Sequence, residues 1–344
     1  MKAKWTALLM VVVLALVSAV GVSAQDDGDL GTEDNPIQVY FVPSVEAQTL
    51  ITGAETLEAA LEEATGLQFE AAVPTSYAAT IEAMCAAPET SMGFIPAAGF
   101  VIGNNRCGLE VYAAAVRFGW PVYWAQYIVR RDSDIYTFGD LEGASWAYPD
   151  PSSTSGFIVP SVELQAAGIE PGERVEAGGH NQAVLAVYNG EADFATTFFS
   201  PPLTPGAPWD YGDLPEPYDL TVDEAFVNDE GQLFVGDIRV LDARSSVTEA
   251  APDVVDQIRI LGTSSPIPND TMSFGPGFPE ELRQAIFDAL VAYSDTEGWE
   301  QSALGSDEGY SWTTLSRIDD EVFDSVRLQI ETLGLTEEDI FEDQ

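Results

Sequence analysis

Lysine is almost absent from this chain. The 344 residues include only Lys2 and Lys4, beside a single histidine, His180, and two cysteines, Cys85 and Cys107. Each shortage closes off chemistry. Without lysine past residue 4 there is no Schiff-base amine, no pyridoxal phosphate linkage and no Walker A lysine for a nucleotide. One histidine and two cysteines leave carboxylates as the only plentiful metal ligands, and these show no calcium-loop spacing. Neither a metal nor a cofactor is expected. Positive charge is scarce as well: over residues 25–344, 11 arginines stand against 57 acidic residues, a net of −46. That sign opposes binding to nucleic acid or anionic membrane surfaces. The acids are dispersed, the pattern of a solvated surface.

What the chain has is material for a core. It is 46% hydrophobic with 7 Trp, 12 Tyr and 17 Phe, and it is long enough for two domains. Lys2 and Lys4 precede an apolar run, Leu8 to Val20, and the small residues Val22-Ser23-Ala24. This is the pattern of a secretory signal over 1–24, with cleavage expected before Gln25. A retained anchor is the alternative, because the run is nearly long enough to span a bilayer. Export places the protein beyond the cytoplasmic membrane, periplasmic or cell-surface associated. There, oxidising conditions favour a disulfide between Cys85 and Cys107, worth roughly 3 kcal/mol in the chain-entropy model.

Residues 25–36 read as an acidic linker. Ile37–Val42, Leu67–Val73 and Met92–Ile95 have strand character, separated by helical patterns at Ala47–Thr65 and Tyr77–Met84. Such alternation predicts a largely parallel α/β sheet covered on both faces. Val122–Arg130, Ala192–Phe199, Ile238–Leu241 and Ile258–Gly262 are further expected strands, with helices at Asn181–Tyr188 and Pro279–Tyr293. Residues 200–236, rich in Pro, Gly and Asp, read as an irregular insertion, and the acidic tail from Ile318 as an outer amphipathic helix. No internal repeat is present.

The most informative stretch runs from Trp146 to Gly168. A strand stops at Pro149-Asp150-Pro151, passes through Ser153, Thr154, Ser155 and Gly156, and enters a helical pattern closed by Gly168. A helix start leaves backbone N–H groups unpaired and carries partial positive charge. Three hydroxyls added there make a set of neutral donors suited to a phosphate-like oxyanion. His180 also precedes a helix, so it presents either a neutral donor or a titratable cation.

Four segments together resemble the periplasmic phosphate/phosphite/phosphonate-binding proteins of ABC importers. They are Pro74-Thr-Ser-Tyr77-Ala-Ala-Thr-Ile-Glu-Ala, Asp150-Pro-Ser-Ser-Thr-Ser-Gly156, Gly178-Gly-His180-Asn-Gln-Ala-Val-Leu-Ala-Val-Tyr-Asn-Gly190 and Ser264-Ser-Pro-Ile-Pro-Asn-Asp270. The resemblance covers roughly residues 37–310, apart from the insertion. It implies a two-lobed Venus flytrap fold of type II, α/β with parallel-rich mixed sheets. Lobe one would be 37–127 and 262–344, lobe two 128–261, with hinge strands Tyr123–Arg130 and Ile258–Ser264. It further implies a non-enzymatic binder whose ligand contacts are Tyr77, Ser153, Thr154, Ser155 and His180, with Gly156 and Asn181 as further candidates. Its partners would be a small oxyanion and the transmembrane subunits of an ABC permease.

The chain departs from the aminophosphonate-binding members. Ala97-Ala-Gly-Phe100 offers no tyrosine, and Phe194-Ala-Thr-Thr-Phe-Phe199 no carboxylate, where those members hold an amine. Phosphate, phosphite or a small alkylphosphonate is therefore expected. No arginine falls within the four segments; Arg106, Arg117, Arg130 and Arg131 could approach the cleft, but are expected in structural ion pairs. Two alternatives stand beside this reading. One is a secreted hydrolase using Ser155 with His180, although Gly-x-Ser-x-Gly is missing. The other is a sensor or transport component of the same fold with a different small ligand.

Overall fold

The computed structural model describes residues 30–334. The expected signal, the start of the linker and residues 335–344 lie outside it. Two large sheets organise the chain. In the first, the strands run in the order Thr314–Arg317, Glu110–Val116, Thr271–Phe274, Ser91–Ile95, Ile37–Phe41, Phe69–Ala72. In the second, the order is Ile258–Thr263, Val122–Arg130, Phe194–Phe199, Trp146–Tyr148, Arg174–Glu176, with Ile267–Pro268 paired to the start of Val122–Arg130. The chain leaves the first sheet at 117–121 and returns to it at 269–270, after Ile267–Pro268.

Both sheets are mixed. Ile37–Phe41 pairs in parallel with the strands on either side of it, as does Trp146–Tyr148, because helical crossovers connect them. The other ladders of both sheets are antiparallel. Parallel pairing is thus confined to half of each sheet. Three of the antiparallel strands, Glu110–Val116, Thr271–Phe274 and Thr314–Arg317, escaped the sequence reading. Their alanines and hydroxyls show no clean alternation of apolar and polar residues. Val122–Arg130 pairs within the second sheet along its whole length, so the expected lobe change at 127/128 falls inside a continuous strand.

Local chemistry explains the helices that matter. Ala47–Thr65 buries Leu50, Ala54, Leu57 and Leu61, a stripe spaced three and four residues apart. The Glu46 carboxylate caps it by accepting from the Thr49 N–H, and Gly66 ends it with φ 72°. Cys85 and Cys107 are joined, as expected. The bond ties together the C-terminal ends of helices Tyr77–Ala86 and Ala97–Cys107, whose N-terminal ends reach the second sheet's turns. The tail forms the expected helix, Asp324–Leu333; it buries Val326 and Ile330, and the preceding Phe323 sits 5.0 Å from the Phe100 ring. It touches both Ala97–Cys107 and Val159–Ala167.

The insertion is more ordered than its composition suggests. Ala225–Val227, Leu233–Val235 and Ile238–Arg239 form a small antiparallel sheet, so Ile238 pairs there rather than in a core sheet. Trp209 is buried against Trp124 and Phe199 at 5.2 and 5.6 Å between ring centroids. Buried Arg244 joins Asp242 to Glu216 through charge-assisted bonds of 2.9 and 2.5 Å. Long-range anchors of this kind leave no local signal.

Candidate ligand-binding cleft

The Ser/Thr turn begins where strand Trp146–Tyr148 runs into Pro149. Buried Asp150 fixes its shape. One carboxylate oxygen accepts from the N–H and O–H of Ser152 at 2.8 and 2.6 Å. The other accepts from the Tyr77 N–H at 3.3 Å, across from the first sheet's side. Burial raises the Asp150 carboxyl above the usual range, although these three donors pull it down. Ser153 then caps a wide helical turn, Thr154–Ile158, by accepting from the Gly156 N–H at 3.1 Å. A Cβ on Gly156 would stand 2.3 Å from Pro149 Cδ, so only glycine fits. Tyr77 and His180 each open a helix, Tyr77–Ala86 and His180–Tyr188. Three helix starts therefore converge.

Between them lies a cavity of about 50 Å³. Tyr77, Ser153, Ser155 and His180 line it, so four of the expected ligand residues are brought together. Thr154, Gly156 and Asn181 are buried but outside its wall. The Thr154 hydroxyl oxygen accepts from the Ala98 N–H at 2.8 Å, joining the turn to the start of helix Ala97–Cys107. The Gly156 carbonyl accepts from the Thr196 hydroxyl.

His180 has a defined tautomer. Its Nδ1 accepts from the Phe198 N–H at 3.2 Å, so the proton of the neutral ring is on Nε2, which faces Ser153 Oγ at 3.5 Å. Burial, and secondarily the charge of Arg117, push its pKa down to about 3. It is a neutral donor at physiological pH. Burial also raises the phenols of Tyr77, Tyr123 and Tyr310, keeping them protonated.

The wall also contains residues that sequence reasoning did not assign to the site, among them Arg117, Tyr123, Asp270 and Tyr310. Arg117 is in an ion pair, as expected, but that pair forms part of the cavity wall. Its Nη2 donates to Asp270 at 2.5 Å, its Nη1 to Asn269 Oδ1 at 3.2 Å and its Nε to the Tyr310 carbonyl at 2.9 Å. Asp270 closes the Pro-Ile-Pro-Asn-Asp segment, which was a usable signal; Arg117 and Tyr310 had none. Arg106, Arg130 and Arg131 pair with Glu82, Asp132 and Glu216, outside the cavity wall. Asn269, in a glycosylation-like sequon, is fully buried and donates to the carbonyls of Ala115 and Trp120, both at 2.9 Å.

Solved structures share this architecture at low identity. A binding protein component of an ABC phosphonate transporter from Pseudomonas aeruginosa superposes with TM-score 0.63 at 18% identity, covering 85% of this chain and 84% of the other. PhnD1 from Prochlorococcus marinus, in complex with methylphosphonate, gives TM-score 0.64 at 11% identity over 87% and 98%. The fold is that of the periplasmic binding proteins. The family described as ABC transporter, phosphonate, periplasmic substrate-binding protein matches residues 39–323, and the chain belongs to that family. The Phosphate-import protein PhnD of Mycolicibacterium smegmatis is 29% identical over 175 residues, 47% of this chain and 54% of that one. The Phosphonates-binding periplasmic protein of Escherichia coli is 25% identical over 200 residues, 56% of this chain and 47% of that one. The chain thus spans about half the length of these two relatives. Among the described residues, no helix is long and apolar enough to cross a membrane.

Proposed function

We propose that this protein is the extracytoplasmic substrate-binding component of an ABC importer, closing around phosphate, phosphite or a small alkylphosphonate and delivering it to transmembrane permease subunits. One observation carries the reading. A small cavity is lined by residues that carry hydrogen-bond donors, among them Ser153, Ser155, His180, Tyr77 and Arg117. A water needs about 10–15 Å³ by the same measure, so a cavity of about 50 Å³ suits an ion of four or five heavy atoms rather than a bulky cofactor or nucleotide. Family membership supports the same reading.

Two lobes built on the two sheets would meet at this cavity. Tyr77, Arg117 and Tyr310 approach from one side, and Ser153, Ser155 and His180 from the other. An oxyanion bonded to both sides favours the closed arrangement, which is how ligand binding would drive hinge closure. Three contacts assist it without ligand: the Tyr77 N–H to Asp150, the Ala98 N–H to Thr154, and the His180 N–H to the Ser44 carbonyl at 3.0 Å. The lobe changes would fall at the crossovers 117–121 and 269–270, between strands of the two sheets.

Nothing in the site favours the hydrolase. A serine nucleophile needs a histidine whose Nε2 is free to take its proton and whose Nδ1–H is held by a carboxylate. In His180 these roles are reversed, since Nδ1 accepts from a backbone amide.

Calorimetric titration of the purified, exhaustively dialysed protein tests the proposal. One of phosphate, phosphite or methylphosphonate should bind with micromolar or tighter affinity at neutral pH. Preference for 2-aminoethylphosphonate would remove the stated ligand class, and binding of none of the four would remove the oxyanion reading.

A further inference from the structure

We propose that Arg117 is the counter-ion of the bound ligand, and that its pairing with Asp270 makes the cleft reject ligands carrying an ammonium group. The inference rests on the oxyanion reading above and adds the residue that sets ligand charge.

Among the residues lining the cavity, Arg117 is the one permanent cation and Asp270 the one carboxylate. A guanidinium has five N–H donors in a rigid fork. Three are committed in Arg117, to Tyr310, Asn269 and Asp270, which leaves one N–H on each terminal nitrogen. The head is held between the rings of Tyr123 and Trp312, 5.6 and 5.9 Å from their centroids. Asn269 locks the arrangement from behind. Its amide nitrogen clamps the carbonyls of Ala115 and Trp120, on either side of Arg117, so its oxygen is turned towards the guanidinium. The result is a pre-oriented cation, which loses little freedom when an oxyanion arrives.

The pair also explains how an acidic protein admits an anion beside a carboxylate. Alone, Asp270 would repel a phosphorus oxyanion and attract an ammonium group. Paired with Arg117 it is neutralised, and the fork keeps two uncommitted N–H groups on a side chain that lines the cavity. The same guanidinium repels an ammonium group placed beside it. Because Asp270 and Tyr123 do put a carboxylate and a further tyrosine in the wall, the selectivity rests on the pairing of Arg117 with Asp270 and not on the absence of such groups.

The test is calorimetry of the full chain and three variants, Arg117→Gln, Arg117→Lys and Arg117→Gln with Asp270→Asn, against phosphate, methylphosphonate and 2-aminoethylphosphonate. Near-ultraviolet circular dichroism checks folding. Arg117→Gln should weaken binding of the preferred oxyanion by about 10- to 100-fold, the range for losing a charge-assisted hydrogen bond. It should also raise the relative affinity for 2-aminoethylphosphonate about tenfold, because Asp270 is left unpaired. Arg117→Lys should keep the discrimination, and the double variant should lose oxyanion affinity without gaining the amine. Should Arg117→Gln not fold, the other two variants decide. Folded variants whose affinities and preferences stay within about threefold of the parent would overturn the role of Arg117 alone. A parent protein that binds none of the oxyanions would overturn the underlying reading and this inference with it.

Discussion

The two walls of the cleft are built in opposite ways. The wall on the second sheet is local: Ser153 and Ser155 lie on one turn, and His180 opens the helix of the next strand-to-helix unit. The wall on the first sheet is assembled from afar, since Arg117 meets Asp270 and Tyr310 across 153 and 193 positions of sequence. The local wall supplies neutral donors and the assembled wall supplies charge. Helix starts produce neutral donors wherever they occur, so a short segment suffices for them. A cation next to a carboxylate in a buried cavity has to be surrounded by partners, and partners come from wherever the fold brings them.

Breaking the local wall should have the largest effect. Ser153, Thr154 and Ser155 changed together to alanine should abolish measurable binding, a loss of about 3–6 kcal/mol for the two hydroxyls that line the cavity. Thr154→Ala by itself sharpens the comparison, because Thr154 bonds the Ala98 N–H rather than lining the cavity. Calorimetry should find weaker binding with an unchanged order of ligands. A changed order would place Thr154 on the ligand after all.

The assembled wall rests on scaffolding whose loss should appear first in stability. Replacing Cys85 and Cys107 by serine frees the two helices whose starts meet the turn, and should lower unfolding free energy by about 3 kcal/mol in urea titrations. Ligand preference should stay the same. Asn269→Ala leaves the carbonyls of Ala115 and Trp120 without their donor, at about 2 kcal/mol, and releases the turn that carries Arg117. Affinity should fall together with stability. Unchanged affinity would mean that Arg117 does not depend on this clamp.

The effect of His180 appears only below neutral pH. Its folded pKa of about 3 lies below the ordinary value of 6.5, so between those values the unfolded chain takes up a proton that the native protein refuses. Its contribution to stability is therefore complete above pH 6.5 and declines as pH falls, by up to about 1.4 kcal/mol per pH unit. Urea unfolding across that window should show His180→Gln with a shallower pH dependence than the parent. Equal slopes would mean that the buried ring is not held neutral.

How much of this was legible depended on the range of the interaction. Helix Ala47–Thr65 was read to the residue because its stripe and its terminating Gly66 are both within the segment. The Ser153–Gly156 turn was legible for the same reason. Thr154 looked equivalent to its neighbours because sequence lists hydroxyls without their directions; only the turn geometry sends one of the three to Ala98. Arg117 looked no different from Arg106, Arg130 and Arg131, since nothing near it announces Asp270 or Tyr310.

By itself, the sequence determined the α/β alternation, the oxidised cysteine pair, the donor-rich turn and the absence of lysine chemistry. These follow from nearest-neighbour preferences, helix-terminus chemistry and composition, all of which act within a few residues. The tertiary structure alone decided which strands run antiparallel, which hydroxyl-bearing residues line the cavity, which tautomer His180 adopts and which arginine lies in the wall. Those depend on burial and on partners remote in the chain, and neither exists until the two sheets are packed together.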